Sequence, residues 1–117
     1  MSEQSSISYI TSARRPIRME AAAVASLEER IGTEFSQACE LLLQVRGRII
    51  VTGMGKSGHI ACKIAATLAS TGSPAFFVHP GEASHGDMGM ITSQDAVIAL
   101  SNSGNVPEVL TLLPHLK

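Results

Sequence analysis

Two kinds of apolar pattern alternate along this chain. From Pro16 to Ile31, Met19, Ala23, Leu27 and Ile31 recur every four residues, which predicts a helix with Pro16 in its first turn and Gly32 at its end. Thr33 then suits an N-cap, and Phe35, Ala38, Cys39, Leu42 and Val45 follow at helical spacing until Gly47. Residues 1–15 show no clear period and are expected to fray as a flexible N-terminus.

The pattern changes after Gly47. Short continuous apolar runs at about 48–52, 75–78 and 95–100 read as buried strands. Between the first two, residues 57–71 predict a helix with Ile60, Ile64, Leu68 and Thr71 on one face. Ala61, Ala65, Ala66 and Ala69 are small enough to let it pack closely on a sheet. Thr71-Gly72-Ser73-Pro74 is turn chemistry, and His79-Pro80-Gly81 breaks the second strand. One helical turn is expected within 82–87, and a last helix near Asn105 with Pro107 in its first turn. Strands alternating with helices predict an α/β fold: a doubly wound parallel sheet with right-handed crossovers, preceded by two helices. Three strands are few for such a sheet, so a partial domain is expected.

Composition narrows the function. The chain has 117 residues, 44% of them apolar but only 3% aromatic, so aliphatic side chains must fill one small core. The net charge of −1 carries no basic stripe beyond Arg14, Arg15 and Arg18, which argues against nucleic-acid binding. No run approaches the ~18 apolar residues of a membrane span, and the Ser-rich start lacks the apolar core of a signal peptide. Cys39 and Cys62 have neither metal nor disulfide spacing. They read as reduced, buried or half-buried residues of a cytoplasmic protein.

The candidate chemistry lies in two loops, each following a strand and opening a helical pattern. They are Gly53-Met54-Gly55-Lys56-Ser57-Gly58 and Ser101-Asn102-Ser103-Gly104. Helix N-termini at one edge of a parallel sheet attract anions, most often phosphate. The first loop matches the dinucleotide pattern G-x-G-x-x-G, but a dinucleotide site needs an acid about 20 residues on, where His79 stands. A phosphate-binding P-loop would need glycine where Ile50 stands. A tight turn whose glycines serve packing alone is the structural alternative. The second loop, repeating the device after another strand, weighs against it.

These loops, together with Ser70-Thr71-Gly72-Ser73-Pro74 and the run Phe77-Val78-His79-Pro80-Gly81-Glu82-Ala83-Ser84-His85-Gly86-Asp87, resemble the sugar isomerase (SIS) domain. Within it they resemble the bacterial arabinose 5-phosphate isomerases. The resemblance covers roughly residues 17–117, and the His-Pro-Gly-Glu-Ala-Ser-His-Gly-Asp run is its most specific part. It implies interconversion of arabinose 5-phosphate and ribulose 5-phosphate, feeding octulosonate synthesis for lipopolysaccharide or capsule. It also implies a homo-oligomer, dimer or tetramer, and no cofactor. Family members carry a five-stranded domain followed by two CBS modules. The expectation here is a partial SIS domain over 16–117, with the CBS modules and the family's further essential glutamate and base histidine beyond it.

The resemblance also assigns roles. Gly55, Ser57, Ser101, Ser103 and Gly104 would hold the phosphate, with Asn102 adding an amide donor. Asn105 and Val106 depart from the glutamate and hydroxyl residue common in SIS domains. Lys56, His85 and Glu108 match catalytic positions. Helix capping is the structural alternative for the serines, an exposed loop lysine for Lys56, and an acid favoured by the helix dipole for Glu108. His79 and Glu82 would polarise sugar hydroxyls. Metal binding by the histidines is the weaker reading, because their spacing is poor for a metal, and for His79 a backbone hydrogen bond is the plain alternative. His59 is expected to pack on its own helix. A sugar-phosphate-binding module without catalysis is the competing function.

Overall fold

The computed structural model describes residues 2–84 and 87–102. The chain divides into two compact units, residues 1–39 and 40–117. The first contains helix α1 (Glu3–Ser26), a short 3-10 helix (Glu28–Arg30) and most of α2 (Thr33–Leu43). The second contains β1 (Ile49–Gly53), α3 (Gly55–Ser70), β2 (Ala75–Phe77), α4 (Pro80–Ser84), a 3-10 turn (Asp87–Met90) and β3 (Ala96–Leu100).

The first unit departs most from expectation. α1 begins at Glu3, not near Pro16, so the segment expected to fray is helical. Ser2 is its N-cap, accepting the Ser5 backbone N–H at 3.1 Å, and Glu3 favours the positive end of the dipole. Pro16 lies inside the helix rather than at its start. It removes one hydrogen bond there, and the helix continues on both sides. At the other end α1 stops at Ser26, before the periodic Leu27 and Ile31. Gly32, not Thr33, accepts the first N–H groups of α2, from Phe35 and Ser36. α1 buries none of its residues. Ile7, Ile10, Ile17 and Val24 are exposed along one side of it.

The second unit follows the predicted alternation closely. Its sheet is parallel, in the order β2-β1-β3. β1 is central, and every residue in it is buried, as expected for a parallel strand covered on both faces. Side chains alternate between two clusters. Ile49 and Val51 pack with Ala61 and Ala65 of α3, flanked by Leu42, Val45, Ile64 and Leu68. Ile50 packs on the opposite face with Val78, Phe76, Ile91 and Val97.

The face α3 turns to the sheet is lined by small residues. Gly58, Ala61 and Ala65 are buried on it. Ala61 and Ala65 pack closely there as expected, whereas Ile60, grouped by its spacing with Ile64 and Leu68, is 58% exposed. Cys62, expected to be buried or half-buried, is exposed, while Cys39 is half-buried as expected. Gly58, Ala61 and Ala65 fall at successive helical turns, so Ile60 and Cys62 on either side are rotated out. A Schellman motif ends α3: Ser73 N–H reaches Leu68 O at 2.9 Å and Gly72 N–H reaches Ala69 O at 3.5 Å. Gly72 takes the required left-handed conformation, with φ 101°.

The strands start at an edge closed by one carboxylate. Asp95 accepts the backbone N–H groups of Arg48 (2.6 Å) and Thr92 (2.8 Å). Arg48 also donates a side-chain N–H to Met90 O at 2.8 Å and stacks over Phe76 at 4.7 Å. The Arg48 N–H, followed by that of Thr92, holds the Asp95 carboxyl below the usual aspartate range.

Two outcomes follow from this packing. A Cβ on Gly58 would come 2.7 Å from the Gly53 carbonyl oxygen, a backbone atom with no room to yield. Gly58→Ala is expected to destabilise the fold by roughly 1–3 kcal/mol, measured as a lower denaturation midpoint. An unchanged midpoint would show that α3 is not seated on β1 in this way. Asp95 binds its proton more weakly in the folded than in the unfolded chain. Its contribution is therefore complete above the ordinary aspartate pKa of about 3.9 and is lost as pH falls through the lower folded value. The melting temperature of the parent should fall more steeply below about pH 4 than that of Asp95→Asn. Parallel curves would contradict this.

Candidate functional site

Parallel strands end on a common edge, and here that edge follows Gly53, Phe77 and Leu100. Ligands of open α/β sheets bind outside this carboxyl edge. Gly53 is paired in register with Leu100. The two sequence loops therefore leave the sheet side by side.

The first loop turns from β1 directly into α3. Gly55 has φ +56°, a left-handed conformation that glycine adopts without strain. Met54 is the N-cap in extended conformation, and its side chain makes no capping hydrogen bond. Gly58 N–H already closes the first intrahelical bond to Met54 O at 3.2 Å. The N–H groups of the preceding first-turn residues have no intrahelical acceptor, and the dipole adds positive potential. No acid sits in that turn. Lys56 is exposed there and Ser57 is half-buried. An anion arriving at this turn meets backbone donors, a hydroxyl and a cation together.

From the second loop, Ser101 is half-buried and Asn102 exposed, directly beyond Leu100. Ser103, Gly104, Glu108 and the expected last helix lie outside the described residues, as does His85.

On the other flank of β1, the strand-end bonding continues past β2. Val78 N–H donates to Val51 O at 3.0 Å, and the buried Thr52 hydroxyl donates to Val78 O at 2.5 Å. This fixes the backbone immediately before His79. The His79 ring is half-buried, with Nδ1 accepting the Gly81 backbone N–H at 3.0 Å. It meets Phe77 edge-on, at 6.5 Å between centroids and 82° between planes. Glu82 is exposed on α4. His59 is exposed on α3.

The structure thus brings Gly55, Lys56, Ser57, Ser101 and Asn102 to one stretch of edge, with His79 across β1 from the second loop. The plain alternative for His79, a backbone hydrogen bond, is realised at one of its two nitrogens. The contribution of Thr52 was not read from sequence. A lone hydroxyl in an apolar central strand was the available signal, because a buried hydroxyl needs a partner. Among the described residues no three His, Cys, Asp or Glu side chains gather as a metal site, and no helix is long and apolar enough to cross a membrane.

Comparison with known proteins places this edge in context. Residues 41–117 match the SIS domain. Over all 117 residues the chain is 62% identical to the arabinose 5-phosphate isomerase KdsD of Pseudomonas aeruginosa, of which it covers 36%. It is 55% identical over 114 residues, 97% of the chain, to KdsD of Yersinia pestis, covering 35% of that protein. The chain therefore spans about a third of the length of these relatives. The solved structure of E. coli CFT073 c3406 in complex with arabinose 5-phosphate superposes with a TM-score of 0.87 at 42% identity, over 99% of this chain and 60% of that one. On the matched sequence and the shared architecture, this chain belongs to the SIS domain family.

Proposed function

We propose that this chain forms the sugar-phosphate-binding part of an arabinose 5-phosphate isomerase. The observation that carries the reading is the register of Gly53 with Leu100, which sets two donor-rich loops side by side at the carboxyl edge. The identity to two KdsD enzymes supports the substrate class.

In this reading the phosphate dianion takes the first-turn N–H groups from Gly55 onward, the Ser57, Ser101 and Ser103 hydroxyls, the Asn102 amide and the backbone at Gly104. Neutral donors suit this task, because they bind a dianion without a base competing for its protons. Isomerisation moves a proton from C2 of the aldose to C1 and a hydroxyl proton from O2 to O1, while the carbonyl passes from C1 to C2. A base removes the C2 proton, an enediolate forms, and the proton returns at C1. Lys56 stabilises the oxyanion as its charge develops. His85 and Glu108 are the further catalytic groups on this chain, and His79 and Glu82 face the sugar hydroxyls. The product would enter octulosonate synthesis, and the protein would work as a cytoplasmic homo-oligomer. The exposed stripe of Ile7, Ile10, Ile17 and Val24 on α1 is consistent with assembly.

Thermal melting with arabinose 5-phosphate, paired with detection of ribulose 5-phosphate, tests this. The sugar phosphate should raise the melting temperature. Lys56→Ala should weaken binding roughly 10- to 100-fold, the loss of one charged contact, and should abolish any turnover that the parent shows. Equal stabilisation by unrelated sugar phosphates, without turnover, would favour a sugar-phosphate-binding module. Absence of any stabilisation would overturn the proposal.

A further inference from the structure

The His79 imidazole has one nitrogen already committed. Its Nδ1 accepts the Gly81 backbone N–H at 3.0 Å. A backbone N–H can only donate, so Nδ1 presents its lone pair there and, in the neutral ring, the proton resides on Nε2. The fold holds this arrangement from several sides. A Cβ on Gly81 would come 3.1 Å from Nδ1 and 3.3 Å from Cε1, so glycine is what lets the ring lie against the turn. Phe77 abuts the ring edge-on. Val78, just before it, is tied through its N–H to Val51 and through its carbonyl to the Thr52 hydroxyl. Ring orientation and tautomer are thus set before any ligand arrives.

We infer that His79 is a preset hydrogen-bond donor, offering Nε2–H to an oxygen on the sugar part of the substrate, and is not the base of the isomerisation. Nε2 already carries a proton and cannot accept one from carbon, while Nδ1 is engaged by Gly81. The sheet order favours a sugar oxygen over a phosphate oxygen. β3 and its loop lie on one side of β1, and β2 with His79 lies on the other. This inference rests on the sugar-phosphate reading above and gives one of its residues a definite protonation and direction of donation.

The test has a ligand-free arm and a binding arm. In the free chain, nitrogen-15 long-range correlation spectra of the imidazole should show the proton of His79 on Nε2. A proton on Nδ1 would overturn the inference, whatever the variants do. His79→Asn retains an oxygen able to accept the N–H two residues on, as in an Asx turn before proline, but loses the distal donor. It should melt like the parent without ligand, bind arabinose 5-phosphate roughly 3- to 10-fold more weakly, and bind inorganic phosphate like the parent. His79→Gln, whose amide reaches toward the Nε2 position, should recover part of the loss. Unchanged arabinose 5-phosphate binding by His79→Asn would overturn the inference and leave the sugar-phosphate reading standing. Equal weakening toward both ligands would overturn the assignment to a sugar oxygen. A parent chain that binds inorganic phosphate but not arabinose 5-phosphate would overturn both readings.

Discussion

The first turn of α3 rests on the last residue of β1 backbone to backbone, and the site inherits its geometry from that approach. At Gly58 a Cβ would run into the Gly53 carbonyl, and at Gly53 a Cβ would come within 3.0 Å of the Ser57 backbone. Glycine at both positions removes the spacer that side chains would otherwise impose. Helix α3 can then begin almost where the strand stops, with Gly55 absorbing the sharp reversal at positive φ. The glycine pattern therefore has a packing role, as its structural alternative held. The same packing carries the N-terminal end of α3 to the carboxyl edge of the sheet, where an anion can meet it. The two readings of the loop are one arrangement seen from two sides.

The two edges of the sheet are built for opposite ends. Where the strands start, one carboxylate gathers the N–H groups of Arg48 and Thr92, and the Arg48 side chain bonds Met90 and covers Phe76. That edge is closed by internal hydrogen bonds. At the carboxyl edge, by contrast, the N-cap of α3 is Met54, which offers no side-chain cap, and the first turn carries a cation rather than an acid. Donor capacity that a purely structural helix would satisfy with an N-cap serine or aspartate is left for something else. Between the edges, the buried β1 strand supplies the rigidity that keeps the loops in register.

The strands and their loops were legible because their signals are local and mutually consistent. Apolar runs at about 48–52, 75–78 and 95–100, each with glycine or proline within the next four residues, admit few alternatives to a parallel sheet with helical crossovers. Elements governed by context were harder to read. Pro16 is equally at home as a first-turn residue, so the Ser-rich segment before it gave no sign of the helix that Ser2 caps. The four-residue spacing of Ile60, Ile64 and Leu68 suggested one face. Ala61 and Ala65 lie buried against the sheet, as their small size suggested, with Ile64 and Leu68 packed at the margin; only Ile60 turns away, since Gly58, Ala61 and Ala65 make the closest approach. At the site, motif spacing located the carboxyl edge and the loops that meet there. It could not reveal that Thr52 holds Val78 or that His79 spends Nδ1 on Gly81. Both bonds depend on where side chains point once β1 and β2 are paired.

The central claim is that an anion binds between the start of α3 and the loop after β3. Backbone amide resonances followed during titration with arabinose 5-phosphate test it most directly. The account predicts the largest changes at Gly55, Lys56, Ser57, Ser101 and Asn102, with Arg48, Thr92 and Asp95 at the opposite edge unmoved. Changes centred on that opposite edge, or none at the α3 start, would contradict it.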